Sequence, residues 1–165
     1  MDVYKINGQN RLSGKISVSG AKNSAVALIP ASILADSPVT IEGIPEISDA
    51  WTLKALLEEI GGTVHFEDNK MTIDPSSMKA IPLPNGNVKK LRASYYFMGS
   101  LLGKYKKVNM CFPGGCTIGE RPINLHLKGF EKLGAVVEED DGNFTITADK
   151  LIGDDIFLDF PSVGA

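Results

Sequence analysis

The chain has 165 residues, of which 43% are hydrophobic and 22% charged, a balance that fits one soluble globular domain and excludes a disordered or fibrous chain. Seventeen Lys and Arg against twenty Asp and Glu leave a net charge of −3, so no overall basic field exists to hold a nucleic acid or an anionic membrane. The longest apolar run, Ala25 to Ala35, is broken by Pro30 and Ser32 and falls far short of the roughly 20 residues that cross a bilayer. The opening Met1 to Asn7 has no basic stretch followed by an apolar core, and Cys111 and Cys116 are too close in sequence to staple a large loop. Together these features point to the cytoplasm, where both cysteines stay thiols.

In chain order, Ala25 to Ala35 is predicted as the first helix, with Lys22 just before it. A short strand around Ile41 follows. Leu53, Leu56, Leu57 and Ile60 recur at helical spacing, with Ser48 or Asp49 as the N-cap and Gly61-Gly62 as the stop. Val64 to Glu67 and Met71 to Asp74 read as a hairpin about Asp68-Asn69-Lys70. Residues 75–87 read as an irregular connection. Ser94 to Leu102 is the next helix, with Arg92 before it, and Val108 to Phe112 an apolar strand. Pro122 suits the first position of a helix whose buried stripe is Ile123, Leu127 and Phe130 and whose stop is Gly134. A second hairpin runs from Val136 to Glu139 and from Asn143 to Thr147 about Asp141-Gly142.

This order is a repeat: helix, strand, helix, strand, strand, twice. Glu59 to Val64 matches Lys132 to Val137, and Met71-Thr72-Ile73 matches Phe144-Thr145-Ile146, at an offset of 73 residues. Upstream the offset is 70, pairing Lys22 with Arg92, Ser24 with Ser94 and Ile41 with Cys111. The difference of three residues falls where the first unit has Glu46-Ile47-Ser48 and the second has Cys116 to Arg121. The closing Phe160 to Ala165 resembles the opening of a third unit, and two units that each bury one face want a further neighbour, so the chain is expected to be a fragment.

Lys22 and Arg92, at matching places before helix starts, suit a site for phosphate or carboxylate, because free N–H groups and the helix dipole favour an anion there. Solvated surface charge is the alternative reading of both. The glycine-rich loop Pro113 to Pro122 can wrap closely around a ligand. Within it, Cys116 lies near Arg121 and a helix start, which lowers a thiol's pKa, and Arg121 can grip an anion through two parallel hydrogen bonds. Cys111, inside an apolar strand, fits a structural role. His65 and His126 lack partners at metal-ligand spacing, which argues against a metal site and makes both structural. Trp51 and the Tyr95-Tyr96-Phe97 cluster are read as core or rim.

Four stretches resemble the UDP-N-acetylglucosamine 1-carboxyvinyltransferase family: Ser19 to Ser24, Leu91 to Ser94, Pro113 to Pro122 with its Cys116, and Ser162 to Ala165. They stand in the family's order across essentially the whole chain, and the cysteine loop is the most specific. The resemblance implies an α/β (α+β) fold, an inside-out alpha/beta barrel built from such repeats and incomplete in this chain. It implies transfer of the enolpyruvyl group of phosphoenolpyruvate to the 3′-hydroxyl of UDP-N-acetylglucosamine by addition and elimination, the first committed step of peptidoglycan synthesis, with no cofactor. Lys22, Asn23 and Arg121 would hold phosphoenolpyruvate. Cys116 would donate a proton to its methylene carbon and become covalently attached to phosphoenolpyruvate or to the epoxide antibiotic fosfomycin. Arg92, Arg121, Pro122, Ile123, Asn124, Leu125, Ser162, Val163 and Gly164 would contact the UDP sugar. Some members have a Lys two residues before that serine where this chain has Phe160, so a side-chain contact there is not expected.

The same resemblance divides the chain into residues 1–19, packing with a missing C-terminal domain, a first unit at 20–90, a second at 91–160 and the start of a third at 161–165. Catalysis by the chain alone is not expected, since further arginines and a base would lie beyond Ala165. Two alternatives stand beside the transferase: a noncatalytic UDP-sugar-binding fragment or regulatory paralogue, and an enolpyruvyl transferase acting on shikimate 3-phosphate, which lacks the cysteine loop. The oligomeric state is left open.

Overall fold

The computed structural model describes residues 3–83, 85–114 and 123–158. Residues 3–19 form no helix or strand, and Val3, Ile6, Leu12, Ile16 and Val18 are exposed. The first unit then runs α1 (Lys22–Ala31), a 3-10 turn (Ser32–Leu34), β1 (Val39–Glu42), α2 (Ser48–Glu59), β2 (Thr63–Glu67) and β3 (Lys70–Asp74). The second runs α3 (Asn85–Lys90), a 3-10 turn (Arg92–Tyr95), α4 (Tyr96–Tyr105), β4 (Lys107–Cys111), α5 (Asn124–Lys132), β5 (Val136–Asp140) and β6 (Asn143–Thr147). The expected division at residue 90 leaves α3 with the first unit, but α3 packs on β4 and on the 3-10 turn that follows it. The predicted repeat is therefore present, with small differences. The first helix starts at Lys22 itself, and the irregular connection gives way at Asn85 to the short α3.

Each unit builds a three-stranded antiparallel sheet with its last strand in the middle, in the orders β1-β3-β2 and β4-β6-β5. Strands β1 and β2 both run antiparallel to β3, so they are parallel to each other with α2 as their crossover. Alternation sets which face is buried: Val64, Phe66, Met71 and Ile73 point inward in one sheet, Val108, Met110, Phe144 and Ile146 in the other. On the outer faces the hydroxyls of Thr40 and Thr72 bond at 3.0 Å, and the Asn109 amide donates to Thr145 Oγ1 at 2.7 Å, at equivalent places. Both pairs are directly opposite in the register.

That register corrects one detail of the repeat. Val39 faces Ile73 and Val108 faces Ile146, so β4 matches β1 at 69 residues and Ile41 corresponds to Met110 rather than Cys111. A slip of one residue would turn the inward side chains out, which is why the sheet enforces this alignment.

Both crossover helices stop in the same way. Gly61 and Gly134 have φ of +98° and +93°; the Gly61 N–H bonds to Glu58 O and the Gly134 N–H to Glu131 O, each at 2.9 Å. Both hairpins turn on two residues of positive φ, Asp68-Asn69 and Asp141-Gly142, whose twist matches that of the strands. The start of α2 departs from expectation. Ile47 takes the N-cap position with no side-chain cap, and Asp49 lies in the first turn, its carboxylate engaged elsewhere.

The two units share one core, in which Ile29, Ile33, Leu53 and Leu57 join Phe97, Met98, Leu101 and Ile146 in a single buried cluster. α1 packs on α4 and α2 on α3. Across the seam Leu83 N–H bonds to Asn109 O at 2.9 Å, the Tyr105 hydroxyl donates to Met78 O at 3.1 Å, and the Lys104 ammonium to Ala35 O.

Candidate active site

The starts of α1 and of the 3-10 turn before α4 open onto the same cleft, of about 470 Å³, at the seam between the units. Lys22, Asn23 and Asp49 enter it from the first unit, and Arg92, Tyr95 and Tyr96 from the second. The repeat thus brings together Lys22 and Arg92, the two cations it placed in matching positions. The first turn of α1 contains no acidic residue of its own to offset the positive end of the helix. The Lys22 ammonium lies 2.6 Å from Asp49 Oδ2.

On the other wall, the Arg92 guanidinium sits over the Tyr95 ring, 5.8 Å from its centre. Tyr95 in turn packs on Tyr96, ring centres 4.5 Å apart, and on His126 at 5.1 Å. Burial, together with a hydrogen bond to Tyr96, pushes the Tyr95 hydroxyl up to about 12, so it stays protonated and able to donate at neutral pH. His126 is pushed below its ordinary value, first by loss of water and then by the Arg92 charge, which keeps its ring neutral at pH 7. Because His126 belongs to the first turns of α5, this stack sets the α5 start beside Arg92. Ile123, the N-cap of α5, is buried; Asn124 is exposed and Leu125 partly buried.

Of the candidate residues, Lys22, Asn23 and Arg92 share the cleft, and Ile123, Asn124 and Leu125 lie at the neighbouring helix start. Cys116, Arg121, Pro122, Ser162, Val163 and Gly164 lie outside the described residues. Cys111 is buried as expected, and burial raises its thiol, which makes it a poor nucleophile. His65 is exposed beside Glu67 on the outer sheet face. Phe97 is core, as the sequence reading allowed, whereas Tyr95 and Tyr96 line the cleft. Asp49, expected only as a cap, was missed as a member of the site. Its signal is not local, since its partner is 27 residues upstream on another helix. Among the described residues no group of His, Cys and carboxylates is placed to hold a metal ion, and no helix is long and apolar enough to cross a membrane.

Comparison with known proteins gives this cleft a context. The chain is 59% identical over all 165 residues to UDP-N-acetylglucosamine 1-carboxyvinyltransferase 2 of Geobacillus kaustophilus and 58% identical to the Bacillus subtilis protein of the same name. It spans 39% and 38% of their lengths. Among solved structures, the enolpyruvyl transferase NikO from Streptomyces tendae superposes with a TM-score of 0.73 at 26% identity, covering 88% of this chain and 32% of that one. An EPSP synthase from Acinetobacter baumannii shares the fold, with a TM-score of 0.68 at 20% identity, covering 91% of this chain and 35% of its own. The sequence profile of EPSP synthase (3-phosphoshikimate 1-carboxyvinyltransferase) matches residues 6–165, nearly the whole chain, and the chain belongs to that family of enolpyruvyl transferases.

Proposed function

We propose that the protein carrying this chain transfers the enolpyruvyl group of phosphoenolpyruvate to the 3′-hydroxyl of UDP-N-acetylglucosamine in the cytoplasm, as the committed step toward peptidoglycan. The observation that carries this reading is the pairing of Lys22 and Arg92 across one cleft at two helix starts, an arrangement suited to a small, highly charged anion and a phosphorylated sugar. The two relatives named for this activity match the chain from end to end at 58–59% identity, which favours the nucleotide sugar over shikimate 3-phosphate as acceptor.

In this reading Lys22, with Asn23 beside it, and Arg121 bind phosphoenolpyruvate. Arg92, residues 121–125 and Ser162 to Gly164 bind the UDP sugar. The sugar oxygen adds to C2 of phosphoenolpyruvate while its proton passes to a base, and the Cys116 thiol gives a proton to C3, leaving a tetrahedral phosphate ester. Loss of a C3 proton and departure of phosphate from C2 restore the double bond on the sugar. Arg121, five residues on in sequence, would favour the Cys116 thiolate, the form left after proton donation that returns as proton acceptor and that opens the epoxide of fosfomycin by attack on carbon. The exposed apolar side chains of residues 3–19 support their packing against parts of the protein beyond this chain.

The test is made on a full-length enzyme carrying this segment. Phosphate release from phosphoenolpyruvate should require UDP-N-acetylglucosamine, with shikimate 3-phosphate giving none. Incubation with fosfomycin should add one adduct, mapped to Cys116 and absent from Cys111. Arg121→Ala should raise the KM for phosphoenolpyruvate by at least about tenfold, the effect of losing a charge-assisted contact of roughly 1.5–3 kcal/mol. Release supported by shikimate 3-phosphate, or label on Cys111 alone, would refute the assignment.

A further inference from the structure

Lys22 is a poor anchor for an anion if left to itself. Its ammonium rides on a flexible four-carbon stem, and its side chain is 57% exposed. Asp49 is the opposite kind of group. Its side chain is short and only 18% exposed, and it sits in the first turn of α2, where the helix dipole favours a carboxylate. The Ser48 hydroxyl donates to its Oδ1 at 3.4 Å, leaving Oδ2 to take the Lys22 ammonium at 2.6 Å. Both residues line the cleft.

We propose that Asp49 is a positioning residue, anchored on α2, that holds the Lys22 ammonium at the cleft so that the anionic substrate meets a cation already in place. The inference rests on the reading of Lys22 as a phosphoenolpyruvate ligand. An ammonium has three donors, so one bond to Asp49 leaves two for the incoming phosphate or carboxylate. The ordering of a long side chain, otherwise paid at binding, is met when the chain folds. The pair also ties α1 to α2 at the cleft floor, so it couples the geometry of the site to the packing of the first unit.

The experiment compares Asp49→Ala, Asp49→Glu, Lys22→Ala and the double variant Asp49→Ala/Lys22→Ala in a full-length enzyme carrying this segment, with the KM of each substrate determined separately. Asp49→Ala should raise the KM for phosphoenolpyruvate about tenfold and leave that for UDP-N-acetylglucosamine within twofold, and Asp49→Glu should recover most of the loss. Because Asp49 acts through Lys22, adding Asp49→Ala to Lys22→Ala should cost less than it does alone. Should Asp49→Ala not fold, Asp49→Asn carries the same comparison. A drop in thermal midpoint with both KM values unchanged would mean a purely structural pair, and a lower KM for phosphoenolpyruvate would mean that Asp49 masks Lys22; either overturns the proposal. If Lys22→Ala itself leaves the KM for phosphoenolpyruvate unchanged, the reading of the site fails and this inference with it. Impairment in Lys22→Ala but none in the Asp49 variants refutes the inference alone.

Discussion

Single side chains in this cleft owe their character to neighbours from the other unit or from another helix. His126 illustrates how far. Its ring packs on that of Tyr95, over which the Arg92 guanidinium also sits, and the Arg92 charge adds to the cost of a second positive group. With its pKa depressed below the ordinary 6.5, the contact contributes fully above that pH and is lost as pH falls through the lowered value. In a proton-NMR titration His126 should therefore show a midpoint below 6.5. Arg92→Met should move that midpoint upward but not restore it fully, because desolvation is the larger cause. A midpoint at or above 6.5 would mean that the His126 ring is neither shielded from water nor close to the Arg92 charge in solution. Lys22 and Arg92 were legible in the sequence because a repeat supplies its own internal comparison. Asp49, Tyr95 and His126 were not, since each becomes part of the site through a partner on another element that no local pattern announces.

The elements were largely legible because their signals are local. The apolar stripe of α2 is buried throughout, and the hairpins turn where Asp68-Asn69 and Asp141-Gly142 stand. The α2 start was misjudged because a long-range ion pair claims the carboxylate that would have capped it. The stops were read correctly, yet the two are not energetically alike. Gly61 has φ of +98°, and a Cβ there would stand 2.7 Å from Ser77 O, a backbone atom. Gly134 has nearly the same φ, but its nearest neighbour, Lys150 O, would be 3.4 Å away, an ordinary contact. Gly134→Ala should therefore cost about 1–2 kcal/mol, the penalty of a left-handed alanine. Gly61→Ala should cost more, by roughly 1 kcal/mol or above, since the connection at Ser77 must also shift. Urea denaturation of both variants measures the difference, and equal losses would mean that this connection yields freely.

At the scale of the whole molecule, the seam that makes the cleft is also the place where the two units are joined. The sheets are separate, and the units meet through α1 on α4, α2 on α3 and a few bonds such as that from Tyr105 to Met78 O. What makes them one body is the apolar cluster, which runs without a break from Ile29 and Leu57 to Phe97 and Ile146. Damage to the second unit should therefore be felt in full by the first. Trp51, the chain's single tryptophan, rests against Phe66 in the first unit with ring centres 4.7 Å apart, so its fluorescence reports on the packing of that unit. Phe97 is fully buried on α4 in the second unit. Phe97→Ala should remove about 3–5 kcal/mol, the cost of emptying such a site, and should lower the Trp51 fluorescence midpoint and the far-UV dichroism midpoint together in the 165-residue chain. Were the Trp51 transition to stay in place while dichroism lost part of its amplitude at lower denaturant, the units would fold independently. The cleft would then be a meeting of two bodies, and Lys22 and Arg92 would lose the fixed spacing on which binding of a small anion depends.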